Sequence, residues 1–165
     1  MEELWIPPGF TFTPDDPTVI DYLKKKVDGV SNPHADLILE ENIYAIPPWD
    51  LRKDVKYPLR GDCAIFYYAL AERKGGKSQR LQRTVGDAGH WHMTGKRMDI
   101  VHGGSVIGYK TALKFHLTGS GKGVPSDWLM TEFRLNYEPN ECQNEKELVI
   151  CKIYKTIRGR SWEQE

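Results

Sequence analysis

The chain has 165 residues, 39% of them hydrophobic and 28% charged, with 23 Lys plus Arg against 23 Asp plus Glu. That composition supports a single domain with a buried core and excludes a disordered chain. No apolar run reaches the roughly 18 residues of a membrane span, and Met1-Glu2-Glu3 lacks the basic start of a secretory signal, so an intracellular protein with no membrane partner is expected. Cys63, Cys142 and Cys151 are odd in number with no C-x-x-C pair, which argues against a disulfide framework or a zinc ribbon and predicts reduced thiols.

The neutral total conceals an uneven distribution. Residues 1–72 carry 7 basic and 13 acidic side chains, residues 73–126 carry 10 and 2, and residues 127–165 carry 6 and 8. Eight excess positive charges in the middle third repel one another in a compact state, and a polyanion such as nucleic acid would relieve that repulsion. A solvated basic face with no ligand is the plainer alternative.

In chain order, Trp5 to Pro14 holds three prolines and a glycine and must be extended, with Phe10 and Phe12 alternating against Thr11 and Thr13 like a short half-buried strand. Asp15 or Asp16 offers an N-cap, Pro17 suits the first helical turn, and Val19, Ile20, Leu23 and Val27 recur at helical spacing. Lys24-Lys25-Lys26 in the last turn and Gly29 just beyond complete the signals of one helix. Between Asp36 and Leu51 the pattern fits a short helix or a strand equally, followed by Trp49 under a proline turn. Ala64 to Leu70 is a β-prone apolar run suited to a strand buried on both faces.

From Arg73 to Arg83 a glycine turn carries five cations, Arg73, Lys74, Lys77, Arg80 and Arg83, and no acid. Such a loop is either a solvent hairpin or a phosphate clamp. Trp91 then lies between His90 and His92, bounded by glycines and followed by Lys96-Arg97. Ile100-Val101 and Val106-Ile107 flank His102-Gly103-Gly104-Ser105 as a hairpin. Gly108 to Leu117, Asp127 to Leu135 and Leu148 to Tyr154 read as further strands. One N-terminal helix followed by about six strands predicts an α+β domain with a predominantly antiparallel sheet, a single domain over 1–165.

Enzyme signatures fail. Gly119-Ser120-Gly121-Lys122-Gly123 has Gly123 where a phosphate-binding loop needs Ser or Thr. His90 and His92 share a face of one strand and pair like metal ligands, yet no third ligand has usable spacing in the sequence, so no metal and no cofactor are expected. Cys63 and the histidines carry no nucleophile motif.

Six ordered blocks resemble a known family, the plant NAC-domain transcription factors, over nearly the whole chain. Pro7-Pro8-Gly9-Phe10-Thr11-Phe12-Thr13-Pro14-Asp15-Asp16 is similar to the opening L-P-P-G-F-R-F-x-P-T-D. Arg73-Lys74, Arg80 and Arg83 match basic positions of R-D-R-K-Y-P-N-G-S-R-P-N-R. Gly89-His90-Trp91-His92-Met93-Thr94-Gly95-Lys96 resembles G-Y-W-K-A-T-G-K, and Gly108-Tyr109-Lys110-Thr111-Ala112-Leu113 resembles G-I-K-K-A-L. Asp127 to Leu135 is similar to D-W-V-M-H-E-Y-R-L and Ile150 to Lys155 to L-C-R-I-Y-K. The resemblance implies a twisted antiparallel sheet flanked by an N-terminal helix and short helical elements, and a nuclear, non-enzymatic protein that regulates transcription.

The same resemblance implies double-stranded DNA as partner, read at a short core containing CGT, with the edge around residues 90–97 entering the major groove. Trp91, His92, Met93, Thr94, Gly95, Lys96 and Arg97 would lie at that edge, while Arg73, Lys74, Lys77, Arg80, Arg83, Lys110 and Lys122 would hold phosphates. It also implies a homodimer or a heterodimer with other NAC-domain proteins through Trp5, Ile6, Pro7, Pro8, Gly9, Phe10, Thr11 and Thr18. Thr11 and Thr18 stand where the family pairs an Arg and a Glu across the two-fold axis, so that interface is expected to rest on apolar contacts. His92 replaces a Lys and Met93 an Ala, which predicts weaker or altered DNA binding, partly compensated by Arg97 where the family usually has Asp. The alternative reading is a divergent NAC module used mainly for protein-protein contact.

Overall fold

The computed structural model describes residues 11–57, 64–73, 81–119, 123–136 and 146–156. Helix α1 spans Asp16–Asp28, bounded as its signals predict. Asp15 caps it, accepting from the Thr18 backbone N–H at 3.0 Å, and these hydrogen bonds hold the Asp15 carboxyl below its usual pKa. Gly29 ends it at φ 69°, the left-handed conformation that a Cβ disfavours. Val19, Ile20, Tyr22 and Leu23 turn inward, whereas Val27, expected on the same stripe, is exposed.

Eight strands are described. They are β1 (Leu39–Glu40), β2 (Ile65–Glu72), β3 (Thr84–Val85), β4 (Gly89–Met93), β5 (Met98–His102), β6 (Ser105–Leu117), β7 (Val124–Leu135) and β8 (Lys146–Lys155). Their order in the sheet is β1-β2-β8-β7-β6-β4-β3, with β5 also paired to β6. Every pair is antiparallel except β1 with β2. The fold is therefore α+β, a twisted and mainly antiparallel sheet flanked by one helix and by two short 3-10 turns, Ala35–Leu37 and Pro48–Asp50. Those turns and β1 settle the ambiguous stretch before Leu51. Gly103 and Gly104, both at positive φ, make the predicted hairpin turn between β5 and β6.

Residues 11–15 are extended but pair with no described strand, so the Phe/Thr alternation marks a packed arm. Phe12 is buried against Tyr22, Tyr57 and Phe66. Side-chain alternation divides the core between the two faces of the sheet. One face gathers Tyr67, Ala69, Val149, Cys151, Met130, Leu113, Phe115 and Trp91. The other gathers Phe66, Tyr68, Ile150, Phe133, Leu135 and Ile100 under α1. Burying each large apolar side chain contributes about 1.5–3 kcal/mol, and α1 alone brings Val19, Ile20 and Leu23, each at most 3% exposed. The helix covers only one end of its face. Toward β4 and the later half of β6, His92 of that face is exposed and His90 and His116 are half-buried.

Candidate nucleic-acid interface

β6 carries the candidate interface because it pairs along one side with two strands in turn. Its later half takes β4, with Gly89 opposite Leu117 and Met93 opposite Leu113. Its earlier half takes β5, with Met98 opposite Lys110. The link between them, Thr94 to Arg97, lies along the sheet margin, held where the Thr94 N–H and hydroxyl both donate to the Ala112 carbonyl at 3.0 and 3.3 Å. All residues from His92 to Asp99 are exposed, eight in succession.

Trp91 does not belong to that surface. It is 2% exposed and its ring meets Phe115 edge-on, 5.1 Å between centroids, on the core face of β4. Since alternate residues of a strand share a face, a buried Trp91 turns His90 and His92 outward. The Trp91 side chain, expected at the groove, lies on the core face instead and anchors the strand whose neighbours are exposed. Its backbone N–H donates to the Arg83 carbonyl at 2.8 Å, which ties β4 to the chain entering β3.

The basic residues divide in two. Arg73, expected on a phosphate, has a side chain only 7% exposed and donates to Glu147 at 2.5 Å. Glu147 also receives Arg134 through Nε at 2.8 Å and Nη2 at 2.9 Å. Burial pulls down the Arg134 pKa, but the Glu147 carboxylate outweighs it and the net shift is upward. Arg83, likewise assigned to phosphate, donates at 2.8 Å to Glu132, whose side chain is 0% exposed. The Tyr44 hydroxyl donates to the other Glu132 oxygen and lies 3.6 Å from Cys151 Sγ. Burial, then the Cys151 and Glu132 charges, push the Tyr44 phenol well above its ordinary value. Burial likewise pushes the Cys151 thiol up. Lys110 pairs with Asp16 of α1 at 2.6 Å.

Half of the described cations in the basic third are therefore matched by carboxylates from the two acidic thirds. Arg73 and Arg83 are engaged by buried carboxylates, which must be paired. Lys96 and Arg97 remain exposed and, like half-buried Lys114, form no ion pair among the described residues. The Arg97 guanidinium stacks over the Tyr109 ring, 3.8 Å from its centroid, which fixes its direction. Lys114 was missed by the sequence reading. It sits opposite His92 on the outward face of β6, and its alternation with Leu113 and Phe115 was the available signal.

Lys74, Lys77, Arg80 and Lys122 lie outside the described residues, as do Trp5, Ile6, Pro7, Pro8, Gly9 and Phe10 of the expected dimer contact. The two ends of 74–80 are joined by an antiparallel bridge between Arg73 and Leu81 and by the Gln82 N–H donating to the Glu72 carbonyl at 2.7 Å. Of the remaining dimer positions, Thr11 is exposed, and Thr18 sits half-buried in the first turn of α1.

Comparison with known proteins meets the same blocks. Residues 7–135 match the profile of the family described as No apical meristem (NAM) protein. Among Arabidopsis thaliana proteins, NAC domain-containing protein 40 is 34% identical over 155 residues, covering 93% of this chain and 44% of that protein. NAC domain-containing protein 89 is 35% identical over 154 residues, covering 93% and 43%, and NAC domain-containing protein 92 is 34% identical over 161 residues, covering 93% and 54%. The chain spans about half the length of these relatives. Sheet, helix and ordered motifs agree with the profile match, and the chain belongs to the NAC (NAM) domain family.

Proposed function

We propose that this chain is the sequence-specific double-stranded DNA-binding domain of a plant transcription factor that works in the nucleus as a dimer with itself or another NAC-domain protein. The supporting observation is the margin His92 to Asp99, exposed throughout, beside Lys96, Arg97 and Lys114, which no described carboxylate neutralises. A major groove about 12 Å wide admits such an edge. Lys96, Arg97 and Lys114 supply the phosphate attraction, and the side chains from His92 to Thr94 supply base contacts. Trp91 acts from below by holding β4 flat. No catalytic step belongs to this function.

The test is a random-sequence duplex selection followed by salt titration of the selected site. Lys96→Ala, Arg97→Ala and Lys114→Ala should each reduce the log-log salt slope by roughly 0.9 with the fold intact. An unchanged slope in all three rejects the reading. The second reading, a module kept mainly for protein-protein contact, draws on the ion-paired state of Arg73, Arg83 and Lys110, which leaves fewer cations for phosphate. A selection that enriches no sequence, with heterodimers formed at the same concentration, favours that second reading.

A further inference from the structure

Arg97 immediately precedes β5 at the exposed margin, and its guanidinium lies over the Tyr109 ring of β6 rather than on an acid. Asp99, two residues on and the cross-strand partner of Tyr109, forms no ion pair with it among the described residues. The ring is itself held. Its hydroxyl donates to Asn136 Oδ1 at 2.9 Å, Asn136 Nδ2 donates to the Val106 carbonyl at 3.1 Å, and the Asn136 N–H donates to the Ile107 carbonyl at 3.4 Å. Because a carbonyl only accepts, the Val106 contact decides the amide orientation and leaves Oδ1 for the phenol. Tyr109 is thus half-buried and tied at the far end of its ring to the chain leaving β7. Both partners of the stack differ from the blocks they otherwise resemble, Arg97 standing at an Asp and Tyr109 at the Ile of G-I-K-K-A-L.

A guanidinium over an aromatic face keeps its N–H donors at its rim, free for two parallel bonds to an anion. Tyr109 lies one strand in from β5, so the ring draws Arg97 back over the sheet and away from the free edge. A side chain drawn back in this way does not reach the floor of a groove that the edge enters. The phosphates along the groove wall pass beside it.

We propose that Tyr109, anchored by Asn136, is a positioning residue that holds Arg97 as a two-pronged phosphate clamp on the flank of the margin and withholds it from base reading. This rests on the duplex-binding function above and divides its labour: Arg97 fixes affinity and register, while His92 to Thr94 carry the sequence preference. Lys96, which forms no ring contact among the described residues, supplies charge without direction.

The test is a double-mutant cycle read as Kd for the selected duplex. Tyr109→Ile, β-branched and suited to the strand, should weaken binding by about two- to fivefold, the loss expected of an exposed cation–aromatic contact. In an Arg97→Ala background it should change nothing, and in a Lys96→Ala background it should keep its full effect. Tyr109→Phe keeps the ring and should retain most of the affinity. Arg97→Lys should keep the salt slope yet lose affinity to the same degree as Tyr109→Ile, since an ammonium has no planar fork. Random selection repeated with Arg97→Ala should return the same site. In the free chain the Arg97 δ protons should resonate upfield through the ring current, moving back in Tyr109→Ile and not in Tyr109→Phe. Circular dichroism checks each fold, and Tyr109→Leu takes the place of Tyr109→Ile should that variant unfold. Equal effects of Tyr109→Ile in the wild-type and Arg97→Ala backgrounds overturn the positioning role, as do Arg97 resonances without a ring-current shift. A base preference lost from the Arg97→Ala selection overturns the phosphate role. A wild-type chain that binds no duplex overturns the duplex-binding function and this assignment with it, whereas a wild-type chain that binds while Tyr109→Ile leaves Kd unchanged overturns this assignment alone.

Discussion

Replacing Arg83 separates a structural cation from a phosphate-binding one. Glu132 is 0% exposed and its carboxylate is held by Arg83 at 2.8 Å and by the Tyr44 hydroxyl. Arg83→Met leaves that charge buried without its paired guanidinium, held by the Tyr44 hydroxyl, and stranding one partner of a buried pair costs about 3–5 kcal/mol. A domain of this size has about 5–15 kcal/mol to lose, and each kcal/mol moves Tm by about 2–4 °C, so a fall of roughly 6–20 °C is expected. Adding Glu132→Gln removes the orphaned charge while leaving Tyr44 an acceptor, and should recover most of the loss. Thermal unfolding of both variants gives the stability change. A salt titration of duplex binding, made below the lower Tm, gives the phosphate count. The salt slope should be unchanged in Arg83→Met. An unaltered Tm together with a slope reduced by about 0.9 would refute the structural role and return Arg83 to the phosphates.

Other outcomes follow from neighbouring features. The Tyr68 phenol, pushed up to about 12 chiefly by burial and then by Glu40 and Tyr22, is neutral in the fold and ionises above pH 10 in the unfolded chain. Its contribution is therefore full below pH 10 and lost as pH rises toward 12. Its hydroxyl has no hydrogen-bond partner among the described residues, so Tyr68→Phe should leave Tm at neutral pH unchanged or raised and flatten the alkaline decline. A clear drop at neutral pH in thermal scans contradicts this. Gly89→Ala would drive a Cβ against the His116 carbonyl, lifting β4 from β6, and hydrogen exchange should show lost protection at the His90 and His92 amides, which face β6 because the Trp91 N–H faces β3. Equal protection in the variant would dismiss the close approach. Asp16→Asn releases Lys110 from a half-exposed pair and should cost under about 1 kcal/mol in denaturant unfolding, with a larger loss assigning that tie a core role.

The parts of the fold legible in the sequence are those fixed by neighbours. Asp15, Pro17 and Gly29 bound α1 because caps act within one turn, and Gly103-Gly104 makes a hairpin because two positive φ angles are needed there. The parallel pairing of β1 with β2 was hidden, since a two-residue strand has no periodicity. The burial of Trp91 was legible, since alternation with His90 and His92 places it on the opposite face from them. Arg73 and Arg83 were not readable, because the carboxylates that claim them lie 74 and 49 residues away. Local charge counts see the cations and not their distant partners.

That separation has a consequence for how the polypeptide is made. The cationic third leaves the ribosome before Glu132 and Glu147 exist, and β2 waits for its antiparallel neighbour β8 until that strand has been translated. A nascent chain halted ahead of Lys146 exposes the Ile65–Glu72 edge and leaves Arg73 and Arg134 without the acid they share. Closure of the sheet on β2 thus waits for β8, and Arg73 and Arg134 gain the carboxylate they share only then.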